Sequence, residues 1–198
     1  MKNVLLLLAG GFETYEASVF VDVMGWNLVD GDRSTRLESC GLRPEVRSSF
    51  DQVWRVDHLP GEIRVDDYEA LAVPGGFAEY DFYIDAYSEP FLELIRSFHT
   101  GGKIVASVCV GALPVGRSGI LKGRRGTTYN LKPERSAALA AFGADVVDAP
   151  LVFDDRIITC RNPAAAMEAA FFLLELLTSK DNADHIRRIM GFGKAPIR

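Results

Sequence analysis

Short apolar runs alternate along this chain with longer segments that carry one apolar stripe. Val4 to Leu8 is a continuous apolar run, the pattern of a strand buried on both faces. Glu16 to Val29 places Ala17, Phe20, Val21, Met24 and Leu28 at helical spacing. Thr35 to Cys40, Glu45 to Ser48 and Gln52 to Val56 read as strands in a less regular, partly hairpin-like region. Ala70 to Val73 is a short buried strand ending at Pro74-Gly75-Gly76. Glu89 to Phe98 reads as a helix, with Pro90 in its first turn and Gly101-Gly102 beyond its end. Lys103 to Val108 is the next strand and Pro133 to Phe142 the next helix. Ala144 to Val147 and Leu151 to Cys160 supply further strands, the second turning at Asp154-Asp155. Asn162 caps a helix with Pro163 at its first position. The tail from Lys180 to Arg198 is polar, with a short helix near Ile186 to Met190.

Strands alternating with helices predict an α/β fold, a sandwich built around a mostly parallel sheet. The 198 residues contain no internal repeat and no dividing linker, so the reading is one domain over 1–198, its core at about 1–177. The chain is 48% hydrophobic and 25% charged, ordinary for a globular protein. Its net charge of −5, with no basic run, argues against nucleic acid or an acidic membrane surface as partner. Val4 to Leu8 is too short for a signal peptide core. Ala164 to Leu177 falls short of the ~20 residues of a membrane span and contains Glu168 and Glu175. A cytoplasmic location is the expectation. Cys40, Cys109 and Cys160 are far apart, without disulfide or metal-ligand spacing, so no metal and no cofactor is expected.

Chemistry concentrates at Cys109. It follows the strand ending at Val108 and precedes Val110-Gly111, the local pattern of a nucleophile elbow. Backbone N–H groups at such a helix start favour a thiolate. In parallel sheets ligands bind beyond the carboxyl ends of the strands. Three loops leave such ends: Ala9 to Glu16, Pro74 to Ala78 and Val108 to Ala112. Gly75-Gly76 permits close backbone approach and offers N–H groups for half of an oxyanion hole. Glu16 stands at the start of the first helix, where a carboxylate is also favourable on dipole grounds alone.

In order along the chain, Ala9-Gly-Gly-Phe-Glu-Thr-Tyr-Glu16, Val73-Pro-Gly-Gly76 and Ala106-Ser-Val-Cys109-Val-Gly111 resemble the ThiJ/PfpI superfamily, related to class I glutamine amidotransferases. Val21-Asp22-Val23-Met24, Gly119-Leu121-Gly123, Thr127-Thr128 and Arg161-Asn162-Pro163 continue the likeness to residue 177. The resemblance implies a flavodoxin-like three-layer fold and a homodimer. It implies Cys109 as nucleophile, Glu16 as the acid touching it, and the Gly76 and Val110 N–H groups as the oxyanion site, with Gly75 and Tyr129 lining it. A protonated Glu16 donating to the thiolate would raise its own pKa and lower that of the cysteine.

The family's catalytic histidine follows either the cysteine or the Thr-Thr segment, and here Val110 and Tyr129 stand in those places. His58, His99 and His185 lie elsewhere: His58 in a surface loop, His99 capping carbonyls at a helix end far from Cys109. This argues against a PfpI-type protease and weakens glyoxalase or deglycase chemistry. A Cys–acid pair also serves the isocyanide hydratase branch, which has an aspartate and a threonine where this chain has Glu16 and Val110. The resulting expectation is a hydrolase or lyase acting on a small electrophile with a carbonyl-like or isocyanide-like carbon. The alternative is a redox-sensing stress-response protein whose Cys109 becomes a sulfinic acid.

Overall fold

The computed structural model describes residues 1–193. A six-stranded sheet forms the middle layer. Its strands are β1 (Lys2–Leu8), β2 (Thr35–Gly41), β5 (Ala70–Val73), β6 (Ile104–Val108), β9 (Leu151–Asp154) and β10 (Ile157–Cys160). The spatial order is β2-β1-β5-β6-β10-β9. Every neighbouring pair is parallel except β10 with β9. Leu5 to Leu8, Ala70 to Val73 and Val105 are fully buried, because helices cover both faces of a parallel sheet. Two small sheets stand apart: β3 (Glu45–Arg47) with β4 (Val53–Arg55), and β7 (Arg125–Gly126) with β8 (Asp145–Val146).

One helical layer holds α1 (Thr14–Asp30), α6 (Pro163–Leu177) and α7 (Lys180–Ile189). The other holds α2 (Phe82–Ala86), α3 (Glu89–Thr100), α4 (Ala112–Arg117) and α5 (Pro133–Ala141). The result is the expected three-layer α/β sandwich with a mostly parallel sheet. No helix among the described residues is long and apolar enough to cross a membrane.

The elements depart from the sequence reading in several places. On α1, Val21 and Leu28 face outward, while Val19, Val23 and Asn27 join Ala17, Phe20 and Met24 inside. Asn27 takes the core position that the pattern gave to Leu28. Its Nδ2 donates to Asp32 Oδ1 at 2.9 Å and Thr35 Oγ1 at 2.8 Å, and its Oδ1 accepts from Asn182 at 2.6 Å. A satisfied amide thus ties the α1–β2 turn to α7 at little desolvation cost.

The tail is not an appendage. α7 begins at Lys180, where Ser179 accepts the Asn182 N–H, and it packs on α1 and α6 through buried Ala183 and Ile186. Residues 194–198 of the predicted tail lie outside the described residues. The last hairpin turns at Asp155-Arg156, one position later than predicted, since Asp154 still pairs with Ile157.

Candidate active site

The strand-end loops converge. Glu13 N–H donates to Gly75 O at 2.8 Å, and Phe77 N–H donates to Gly11 O at 3.1 Å. These bonds bring the loop after β1 against the loop after β5. On the other side, a side chain on Gly75 would lie 2.8 Å from Glu16 Oε2, 3.0 Å from Val110 N and 3.1 Å from Gly111 N. Only a residue without Cβ lets the carboxyl and the elbow amides close around this point.

Cys109 has a φ of 55°. An L-residue in the left-handed region is strained, and such strain persists where surrounding structure enforces it. Here β6 ends at Val108 and the chain turns through Cys109–Gly111 straight into α4. The elbow is pinned from behind, as Thr128 Oγ1 donates to Cys109 O at 2.9 Å. The neighbouring Thr127 N–H donates to Thr159 Oγ1 on β10 at 2.9 Å, which fixes the Thr-Thr segment to the sheet.

Glu16 is fully buried. Its Oε2 accepts the Gly75 N–H at 2.7 Å, and its buried Oε1 has no partner among the described residues. Burial, aided by the charge of Glu13, pushes its pKa up to about 8. Burial also pushes the Cys109 thiol up, and a charged Glu16 would push it further; the Val110 N–H opposes both. The expected lowering of the thiol is therefore not a property of the pocket as such. It depends on whether Glu16 carries a proton. A protonated Glu16 removes the charge that raises the thiol and supplies a donor instead.

The Gly76 N–H donates to no group of the described residues. Together with Cys109, Val110 and Tyr129, Gly76 lines a cavity of about 330 Å³. Cys109 keeps 7% of its surface exposed, whereas Cys40 and Cys160 are fully buried, with thiols raised to about 12 by burial. A larger cleft of about 480 Å³ lies at Gly10, Arg43 and Asp85 and does not include the cysteine. There Gly10 N–H and Arg43 already satisfy the Asp85 carboxylate.

No histidine lines the cavity. His58 is half-buried, with Nε2 3.0 Å from Glu38 Oε2, and His185 Nε2 meets Asp30 O at 3.1 Å. His99 does not cap carbonyls as expected. Its Nε2 lies 3.8 Å from Asp155 Oδ2 at the hairpin turn, and its buried Nδ1 has no partner. That turn lies at the edge of the sheet opposite Cys109, because β10 runs parallel to β6.

Sequence reasoning overlooked several residues that line the cavity: Glu13, Phe77, Lys132, Arg135 and Asn162. Lys132 and Arg135 look like ordinary solvated residues at a helix start. Only the path of the chain from β7 to α5 brings them into the cavity that Cys109 lines. The role of Thr128 was half visible, as part of a recognisable Thr-Thr pair.

A profile of the DJ-1/PfpI family matches residues 2–177. The chain is 28% identical to protein DJ-1 homolog B of Arabidopsis thaliana over 183 residues, covering 92% of this chain and 40% of that protein. It thus spans less than half of that relative's length. It is 34% identical to a deglycase of Pyrococcus abyssi over 161 residues, covering 81% of this chain and 90% of that one. In fold it is similar to Drosophila melanogaster DJ-1beta, with TM-score 0.82, 24% identity, and 96% and 97% of the two chains covered. A ThiJ/PfpI family protein from Pseudomonas syringae aligns with TM-score 0.85 and 21% identity, covering 100% of this chain and 77% of that one.

Proposed function

The chain belongs to the DJ-1/PfpI family, and we propose that it is a cysteine-dependent small-molecule enzyme using Cys109 and Glu16 as a dyad without a histidine. The observation that carries this reading is the strained Cys109, at φ 55°, opening into a cavity against a buried carboxyl with a spare oxygen. The Cys109 thiolate adds to an electrophilic carbonyl-like or isocyanide-like carbon, forming an S–C bond. An isocyanide carbon keeps the electron pair and is itself protonated, whereas from a carbonyl-like carbon the displaced π pair moves to the substrate oxygen. The Gly76 and Val110 N–H groups stabilise the charge developing there. Glu16 delivers the proton, and its carboxylate then takes up the next one. Proton delivery requires a carboxyl still protonated near neutrality, which the raised pKa of about 8 supports.

The deglycase names of archaeal relatives suggest carbonyl adducts as one substrate class to try first. Tyr129, where the family places a histidine, makes slow turnover the expectation for simple dicarbonyls. A screen of purified protein against methylglyoxal, small isocyanides and activated esters tests the proposal. Turnover should vanish in Cys109→Ala. Turnover that survives this change would remove the cysteine from the chemistry.

The missing histidine also favours a second reading. Cys109 would be a peroxide sensor, oxidised through sulfenic to sulfinic acid, with the spare Glu16 oxygen bonded to the product. The same screen separates the two. A protein silent toward every electrophile, whose Cys109 gains two oxygens under mild peroxide, is a sensor.

A further inference from the structure

We infer that the cavity at Cys109 selects carbonyl electrophiles that carry a carboxylate, held by Arg135 and Lys132. This rests on the reading of Cys109 as nucleophile. Cys109, Val110, Gly76, Lys132 and Arg135 all line this cavity. Lys132 is the residue before α5, and Arg135 lies in its first turn.

Half-buried arginines elsewhere in the fold are matched by carboxylates. Arg96 pairs with Glu93, Arg124 with Asp155, Arg161 with Asp148 and Arg187 with Glu168. Arg135 pairs with no carboxylate among the described residues. Its guanidinium lies over the Tyr83 ring instead, 5.4 Å from the centroid. Stacking on an aromatic face holds the planar group without using its N–H donors. A guanidinium fixed in this way is preorganised to grip a carboxylate through two parallel bonds. The Lys132 ammonium adds charge beside it, as does the positive end of α5.

Two acids share the lining, Glu13 and Glu79. Burial pushes the Glu13 carboxyl up, which reduces its opposition to an anion. Glu79 is exposed and screened by solvent. In a protein of net charge −5, Lys132 and Arg135 bring two cations without a carboxylate partner among the described residues into the lining that Cys109 shares.

About 330 Å³ accommodates a small acid such as a 2-oxo acid or an aldehyde acid. The step is balanced within the site. The thiolate forms an S–C bond to the carbonyl carbon, the π pair goes to oxygen, and that oxygen takes the Glu16 proton. The product is a hemithioacetal or hemithioketal, with the carboxylate unchanged.

Iodoacetate and iodoacetamide test this directly. They are nearly the same size, both alkylate a thiolate with loss of iodide, and they differ by one negative charge. The ratio of the two rates on Cys109 divides out any change in thiol reactivity. N-acetylcysteine supplies the reference ratio. The wild-type protein should favour iodoacetate by about three- to tenfold over that reference. Arg135→Gln and Lys132→Gln should each move the ratio back toward it, and Arg135→Lys should restore part of the preference. A wild-type ratio at or below the reference overturns the inference. If Arg135→Gln fails to fold, the exposed Lys132→Gln decides the point on its own, and an unchanged ratio there removes Lys132. Alkylation of Cys109 without charge preference sinks only the carboxylate site. No alkylation of Cys109 by either reagent sinks the nucleophile reading beneath it.

Discussion

Glu16 accepts the Gly75 N–H through one oxygen at 2.7 Å and leaves the other buried with no partner. An unmatched buried oxygen is costly, and a proton on it lowers the cost. The raised pKa of about 8, caused mainly by burial, is this arrangement expressed as a titration.

A stability effect with a defined sign follows. Between the ordinary value of 4.5 and about 8, the folded chain keeps a proton on Glu16 that the unfolded chain has released. The stability linked to that proton is complete below the lower value and is lost as pH rises through the upper one. Glu16→Gln keeps an acceptor for Gly75 and abolishes the ionisation. Urea midpoints of the two proteins should therefore diverge as pH rises from about 5 to about 8, with the variant increasingly ahead, by an amount on the order of a few kcal/mol. Parallel pH profiles would mean that Glu16 ionises freely in the fold.

The same carboxyl should tune the thiol. Glu16→Leu removes the carboxyl proposed as donor to the thiolate and should raise the Cys109 titration midpoint by roughly one unit, since a charge-assisted hydrogen bond is worth about 1.4 kcal/mol or more. Thiolate absorbance against pH measures it. A midpoint that falls instead would place the negative charge on Glu16 and the proton on sulfur.

Thr128 is a positioning residue for the elbow. Its side chain is buried and its hydroxyl donates to the Cys109 carbonyl at 2.9 Å. Thr128→Val leaves that carbonyl without its partner, at a cost of about 1–3 kcal/mol. The left-handed turn at Cys109 should then relax, and iodoacetamide alkylation should slow relative to wild type at the same fraction folded. Conversion to Ser should restore most of the rate. A Val variant that alkylates normally would show that the turn holds without this bond.

A second copy would need apolar surface that one subunit leaves exposed. Phe20, Val23 and Met24 are buried inside the subunit. Apolar area remains at Val21, Trp26, Leu28 and Val29 on α1, and at Phe50, Phe77 and Tyr80, whose rings pack on one another. Exposed apolar groups clustered in this way favour a partner. Light scattering at micromolar protein should give a dimer mass, and Trp26→Glu or Phe50→Glu should shift it toward the monomer. A monomer in the wild type defeats the expectation.

The sheet was legible because β1, β5 and β6 are short apolar runs bounded by glycines, the pattern of doubly covered strands. Cys109 was legible for a related reason, as a small-residue turn after such a strand has few uses. Asn27 was not, because the pattern cannot show that an amide will find three partners inside. α7 was legible only from Ile186 onward, because a helix burying only Ala183 and Ile186 looks like solvent-exposed chain over its first turns. The place of Arg135 was not, because its guanidinium lies over the ring of Tyr83, some fifty positions earlier.

Tyr129 lines the cavity where the family places a histidine, and replacing it tests what that position contributes. A phenol is a poor base at neutral pH, so dicarbonyl turnover in the wild type should be slow. Positioned acid–base catalysis is typically worth about 10²–10⁴-fold. Tyr129→His should therefore gain methylglyoxal turnover, with a pH profile rising through the imidazole range, and lose it again when Cys109→Ala is added. A wild type that already turns over methylglyoxal briskly through Cys109 would show that Glu16 alone moves the protons. A Tyr129→His protein that folds, alkylates at Cys109 and stays inactive would mean the side chain at 129 cannot reach the reacting carbon. The missing histidine would then not explain the slow chemistry.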